Sequence, residues 1–597
     1  MSEKIENLLN VALEANIQEL DKSRELSAGF NPIDNSWDLI IRFTGTPDFL
    51  EKYNGIQYEI LSNNFAILSV PKETIDKLAE DDSVIYIEKA KPLCFAVINN
   101  RSEACVTNAQ NYFGIYGEGV IIAVIDSGID YANSAFIDEF GKTRIIEIWD
   151  QTIGNGENTY GFNRGTFYTD SQINAAINAP DFRERYEIVP SRDYSGHGTH
   201  VAGIAAGNFA NDKRNNIGIA TKSKLLIVKL ATPRENSFPT TIELMEAIDY
   251  VTKKAEELKM PLVINLSFGN NYGSHDGTSL LETYINEISA KERISVVIGS
   301  GNEGNAGGHT SGKIDTGETE NIEFAVSNYQ NSLNLQIWKS YADIFEIELI
   351  SPTGESTGIF TDANEVMKYN VSSDRTRLMV YYGTPKPYSI YQEVYVQFVP
   401  EDMYIQSGIW TVRITSVKSV VGEYNMWLPV EASLGTNTRF LNPVPDTTLT
   451  IPSTASKAIT VGAYDSNRQT YADFSGRGFT RETNQIKPDI VAPGVDIISA
   501  AVGGGLSVKS GTSMATPFVS GAAALLMEWG IVNGNDKYLY GEKLKAYLIR
   551  GARKIDGFEK SRFLHQLTVQ KCCKKHRKWD QKYQCSDHIT CTVKQSF

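Results

Sequence analysis

Three short stretches of this chain hold side chains that together can do nucleophilic chemistry: Val124-Ile125-Asp126-Ser127-Gly128-Ile129-Asp130, Gly196-His197-Gly198-Thr199-His200-Val201-Ala202-Gly203 and Ser510-Gly511-Thr512-Ser513-Met514-Ala515-Thr516-Pro517. In that order they supply an acid, an imidazole and a hydroxyl. A serine hydroxyl is a weak nucleophile at neutral pH, so it needs a base to take its proton and a carboxylate to hold that base in one tautomer. A fourth stretch, Val296-Val297-Ile298-Gly299-Ser300-Gly301-Asn302-Glu303-Gly304, ends in a side-chain amide. Attack on a carbonyl creates an oxyanion, and Asn302 with the Ser513 backbone N–H suits its stabilisation. The chemistry these residues point to is acyl transfer.

Each residue also has a plainer reading. Asp126 is a strand-end carboxylate: the run Val120–Ile125 is continuously apolar, as in a buried parallel strand, and its carboxyl end is where α/β sheets bind ligands. His197 and His200 stand three apart and on a helix make a metal pair. The glutamate of a His-Glu-x-x-His site is missing, however, and Gly196 and Gly198 flank the first imidazole, which favours a base at a tightly packed helix start. Ser513 suits a helix cap ahead of the apolar stretch Met514–Trp529, a position that also feels the helix dipole. Asn302 before Glu303-Gly304 suits a turn. All four together, in this order, outweigh the plainer readings.

The order Asp, His, Ser and the four stretches resemble the subtilisin-like serine protease (subtilase) family. The resemblance implies an α/β fold with a parallel sheet flanked by helices, and peptide hydrolysis through an acyl-enzyme. Asp126, His197 and Ser513 are then catalytic, Asn302 forms the oxyanion hole and His200 is a structural neighbour. It also implies that Leu262-Val263-Ile264-Asn265-Leu266-Ser267-Phe268-Gly269 ends in an edge along which an extended substrate pairs as an added strand. Ser267, Phe268 and Gly269 would line one side of the cleft and Gly299, Ser300 and Gly301 the other.

These segments need elements to position them, and a chain of 597 residues is too long for one core. Residues 1–95 show strand-like alternation at 37–43, further strands at 64–70 and 83–88, and a helix at 72–80. This resembles the βαβ-type subtilase prosegment, which assists folding, blocks the cleft and is cut in the link between Glu88 and Arg101; the alternative is a regulatory domain that is never cleaved. The catalytic pattern occupies 96–310 and 451–558. Between them, 311–450 carries apolar residues at spacing two: Leu333, Leu335, Ile337; Phe345, Ile347, Leu349; Val394, Val396, Phe398; Trp410, Val412, Ile414; Tyr424, Met426, Leu428. That predicts an inserted antiparallel β-sandwich, similar to the jelly rolls attached to some subtilases. The combination resembles the Csp germination proteases of clostridial spores. It implies two partners, the precursor of a spore cortex-lytic hydrolase and the chain's own cleaved prosegment. The competing reading is a catalytically silent or prosegment-blocked scaffold that senses a germination signal.

A net charge of −15 argues against nucleic acid and anionic membranes as partners. No apolar run is expected to reach bilayer-spanning length. The start Met1–Asn7 lacks a signal-peptide core, so synthesis in the cytoplasm and packaging in the spore are expected. None of the six cysteines falls in the catalytic stretches, which argues against a disulfide-built domain. No cofactor is required by the chemistry, no metal site is assigned, and structural calcium is not readable. The stretch 559–597 is free of glycine, basic at Lys571–Lys578 and holds Cys572, Cys573, Cys585 and Cys591. A zinc site from Cys573, His576, Cys585, His588 and Cys591 fits no established spacing. The tail is instead expected to be a disordered, dispensable addition, with the family resemblance ending near Gly557.

Overall fold

Continuous apolar, largely β-branched runs without polar alternation make strands buried on both faces, and seven of them build the central sheet. Across it the order is Ile490–Pro493, Ile459–Asp465, Ile294–Gly299, Leu262–Leu266, Ile121–Asp126, Lys224–Lys229 and Ile145–Asp150, each parallel to its neighbour. The computed structural model from which this follows describes residues 3–554 except 33, 93, 96–109, 111, 155–159, 209–217, 232–238, 361–364, 385–389 and 436, together with 565–566. The strands ending at Leu266, Gly299 and Asp126 are adjacent, so their carboxyl ends open onto one place.

Helices cover both faces of this sheet. His197–Ala206 and Thr512–Met527 share one core with it, and Thr241–Leu258 and Leu280–Ser289 share the other. The stretch Thr512–Val532 corrects one expectation, since by length and composition this helix is apolar enough to cross a bilayer. It is 89% buried, wedged between the sheet and the helix His197–Ala206, and it serves as the core helix.

In the N-terminal unit the strand Ser36–Phe43 is central, flanked by Phe65–Pro71 and Val84–Lys89, with the helix Lys72–Ala79 between the last two. Every pairing between its named strands is antiparallel. The expected βαβ unit is therefore split, because Ser36–Phe43 lies between its two strands. Alternation along the central strand sorts its side chains between two cores. Ile40 joins Phe65, Ile67 and Tyr86 against the helices Thr241–Leu258 and Leu280–Ser289. Leu39 and Ile41 face the short N-terminal helices and Met379, Tyr381, Tyr395 and Val399 of the inserted unit.

The insertion consists of a six-stranded and a four-stranded antiparallel sheet around a shared core. Every residue of the spacing-two pattern is buried in that core. Its strands run from His309 to Phe440. The strands Thr319–Val326, Val366–Val371 and Thr376–Tyr382 add to those read from the pattern. At the catalytic sheet's edge, His565–Gln566 pairs with Arg553–Lys554 and with Val491. The tail therefore does not begin at 559. Its cysteines and basic cluster lie outside the described residues.

The N-terminal unit and the parallel-sheet unit meet at a carboxylate cluster. Arg164 contacts Glu243, its Nε lies 2.9 Å from Glu246 Oε2, and both carboxylates are buried. Burial raises the Glu246 carboxyl well above its ordinary range against the pull of Arg164, with Glu59 of the N-terminal unit raising it further. Removing one partner of a buried ion pair costs about 3–5 kcal/mol. Arg164→Ala is accordingly expected to lower the unfolding free energy of the full chain by about that much, read as a lower urea midpoint, and an unchanged midpoint would show that the cluster is not held by this cation.

Candidate active site

Asp126 stands at the carboxyl end of the central strand, fully buried. Its Oδ1 accepts the Ser127 backbone N–H at 2.8 Å and meets His197 Nδ1 at 2.7 Å. An ionised carboxylate only accepts, so Nδ1 carries the proton and Nε2 keeps the lone pair. His197 is the first residue of its helix, entered through Gly196 in the left-handed region at φ 67°. Glycine is needed there because that backbone conformation strains residues with a Cβ.

The anchor of this helix start is Asp193, which the sequence reading did not single out. Its Oδ1 accepts from Ser127 Oγ at 2.8 Å, Ser195 Oγ at 3.3 Å and Gly196 N at 2.9 Å. Its Oδ2 accepts from Thr199 N at 2.9 Å and Thr199 Oγ1 at 2.7 Å. Asp193 thus satisfies orphan N–H groups at the positive end of the helix and ties that end to Ser127, the neighbour of Asp126. The signal available in the sequence was an acid four residues ahead of His197.

Ser513 is the second residue of the helix Thr512–Met527, whose N-cap is Gly511 at φ 146°. The serine is therefore inside the first turn and is not the cap. Its Oγ donates to the Ser267 carbonyl at 2.8 Å, and it is 1% exposed. Among the described residues its backbone N–H has no acceptor, as expected of an N–H in the first turn of a helix. Asn302 Oδ1 accepts from the Thr512 backbone N–H and from Thr512 Oγ1, both at 3.1 Å. A backbone N–H can only donate, so Thr512 fixes which end of the amide is oxygen and leaves Nδ2 as the donor for another acceptor. Thr512 is a second residue the sequence reading passed over.

The two sides expected to line a cleft are both at the strand ends. Phe268–Gly269 pairs antiparallel with Cys94–Phe95, in the register Phe268 with Phe95 and Gly269 with Cys94. The end of the N-terminal unit thus pairs as an added strand along the edge that the sequence reading assigned to substrate. Residues 96–101, the remainder of the link expected to be cut, lie outside the described residues. Ser300 N donates to Val461 O at 2.9 Å, which holds the opposite side to the sheet. His200 is turned onto backbone carbonyls. It is buried, with Nε2 on the carbonyls of Ile497 at 3.0 Å and Ser507 at 3.2 Å. Among the described residues no group of three or more His, Cys, Asp or Glu is placed to hold a metal ion.

The subtilase family profile matches residues 117–391 and 430–569, and the Csp protease B prodomain profile matches 3–91. The solved structure of the CspB protease of Clostridium perfringens is 36% identical and superposes with a TM-score of 0.74, covering 81% of this chain and 98% of that one. The PII-type proteinase of Lactococcus lactis subsp. cremoris is 25% identical over 529 residues, 82% of this chain and 27% of its own. Minor extracellular protease Vpr of Bacillus subtilis is 24% identical over 447 residues, 70% of this chain and 46% of its own. The chain thus spans about a quarter of the lactococcal proteinase and under half of Vpr.

Two buried imidazoles near the site make stability pH-dependent. Burial drives both His200 and His275 from 6.5 down to about 3, with Lys509 and His197 adding to the effect on His200. An unfolded chain protonates these rings at an ordinary value, so the folded state is at full strength above 6.5. It then loses about 1.4 kcal/mol per pH unit per ring as the pH falls toward 3. The His200 contribution is therefore lost between pH 7 and pH 5, whereas Glu282 and Glu303, which burial raises to about 7, act in the opposite sense, so His200→Gln should raise the urea midpoint at pH 5 relative to that at pH 7 compared with wild type. An acid slope identical in both proteins would remove His200 from the explanation.

Proposed function

The chain belongs to the subtilase family, and on that footing we propose that it is a serine endopeptidase that cuts its own prosegment from the catalytic unit. The observation that carries this reading is the buried 2.7 Å pairing of Asp126 Oδ1 with His197 Nδ1, with Ser513 in the first turn of a helix packed against the one His197 begins. In the proposed cycle Ser513 Oγ attacks the scissile carbonyl and its proton passes to His197 Nε2, while Asp126 stabilises the imidazolium through Nδ1. The oxyanion takes hydrogen bonds from Asn302 Nδ2 and the Ser513 backbone N–H. The amine leaves with the proton from His197, and water, deprotonated by the same imidazole, releases the acyl group. The Ser513 proton now rests on the Ser267 carbonyl, and free enzymes often form the hydrogen bond to the base only with substrate bound.

The finer proposal is that the substrate in trans is the precursor of a spore cortex-lytic hydrolase. Its support is the similarity to CspB protease over 98% of that chain, together with the matched prodomain. A second reading, a prosegment-blocked scaffold, draws on the Cys94–Phe95 strand seated on the substrate edge. The prosegment also shares hydrophobic cores with both other units, so a cut alone does not free the cleft.

On a denaturing gel, the wild-type chain should give two fragments and Ser513→Ala one. Equal cutting in both would show that Ser513 is not the nucleophile. Asn302→Leu should slow self-processing by about 10²- to 10³-fold, the size known for loss of one such donor in subtilisin. A rate unchanged in that variant would remove Asn302 from the oxyanion site.

A further inference from the structure

Two hairpin turns lie side by side at one end of the inserted sandwich. Residues 341–343 join the strands Leu333–Ser340 and Ile344–Ile350, and residues 419–422 join Gly408–Lys418 and Glu423–Trp427. Tyr341, Ile344, Val417, Val420 and Val421 sit on or beside these turns, and Ile390 joins them because its carbonyl accepts from Tyr341 N at 3.1 Å. These side chains are between 39% and 71% exposed. Single exposed aliphatics are ordinary on a protein surface, whereas a contiguous group marks a contact surface. One buried carboxylate holds both turns in place. Asp343 Oδ1 accepts from Val420 N at 2.6 Å and Val421 N at 2.9 Å, and its Oδ2 accepts from Gly422 N at 2.9 Å. The remaining turn N–H groups are used as well. Ala342 N donates to Ser340 Oγ and Asp343 N to Ser340 O, both at 3.2 Å, and Ser419 N donates to Thr316 Oγ1 at 2.8 Å. Every N–H of 341–343 and of 419–422 therefore has its acceptor inside the sandwich.

We infer that this end of the sandwich docks on a lipid surface, its two turns entering the head-group region of a bilayer of neutral phospholipid. A bilayer asks two things of a segment that enters it: apolar side chains, and no main-chain donor left without a partner. Turns that face only water leave donors to the solvent, and turns that recruit a peptide strand leave donors to that strand. These turns leave none, and what they present outward is valine, isoleucine and tyrosine. Tyr341 suits the boundary itself, with an apolar ring and a hydroxyl that stays wet. The exposed Lys418 can lay its stem along that apolar group and bring its ammonium to a head-group phosphate. Overall charge decides the kind of lipid. At −15 the chain is repelled by an anionic surface, so the attraction has to come from apolar area. Two short turns offer little such area, which makes the docking peripheral and reversible.

The test mixes the full chain with phosphatidylcholine vesicles and reads the bound fraction by flotation. Wild type should float with the vesicles, and high salt should leave that fraction unchanged. Val420→Ser combined with Val421→Ser should lower the partition coefficient by about tenfold or more, and Ile344→Ser alone, on the neighbouring strand, by about threefold. Both variants should keep the wild-type urea midpoint, because exposed positions contribute little to stability, so a lost fold is told apart from lost docking. Wild type that stays with the soluble fraction would overturn the assignment, as would a folded double variant that floats as well as wild type. Flotation that needs anionic lipid and is abolished by salt would overturn it too, since charge and not the apolar turns would then hold the chain. A mass that rises with concentration in sedimentation, is lost in the double variant and comes without vesicle binding would give these turns to a second copy of the chain instead.

Discussion

How closely a helix start can approach a strand end governs this molecule. Gly198 lies against the end of the central strand, where an added Cβ would fall 2.2 Å from the Gly128 carbonyl oxygen and 3.1 Å from Asp126 Cβ. No side chain fits there without moving backbone, so the 2.7 Å contact between His197 and Asp126 exists only because residue 198 has no side chain. Asp193 holds the helix at that distance by satisfying its first N–H groups. Its hydrogen bond to Ser127 makes the helix start and the strand end one rigid piece. The same economy of space recurs at the other helix, where Gly511 carries a backbone conformation closed to residues with a Cβ and Thr512 orients the amide of Asn302.

The N-terminal unit is wedged between the other two. Its central strand sends alternate side chains into two different cores, one built with the catalytic helices and one with the inserted sandwich. Detaching it would expose two apolar faces at once. Polar contacts agree with this placement: Glu88 caps the Leu280 N–H at 2.9 Å, Ser62 donates to Asp249, and Arg377 of the insertion pairs with Glu19 at 2.7 Å. The unit ends in the strand paired with Phe268–Gly269, so the packing that holds the unit also holds that strand in place.

Much of this was legible in the sequence because it rests on local pattern. The apolar run before Asp126 became the central parallel strand, the spacing-two residues of the insertion became one face of a sandwich, and the strands at 37–43, 64–70 and 83–88 lie within a residue or so of their expected places. The misses share one cause. The split of the βαβ unit, the strand pair at 565–566 and the burial of the long apolar helix depend on which segment lies beside which, and segments far apart in sequence carry no signal of that in their own composition.

By itself, the sequence determined the chemistry on offer: an acid, an imidazole, a hydroxyl and an amide in an order that resembles one protease family, each next to the glycines a tight approach demands. Only the tertiary structure decided how that chemistry is oriented. Asp193 and Thr512 set the geometry of His197 and Asn302 through hydrogen bonds whose partners are not sequence motifs. Thr450, nearly 150 residues from Asn302, lies against Gly269 and Gly301 because the chain returns there from the inserted sandwich. Residue types carry reactivity from one protein to the next, whereas the volume left between two backbones is a property of the packed whole.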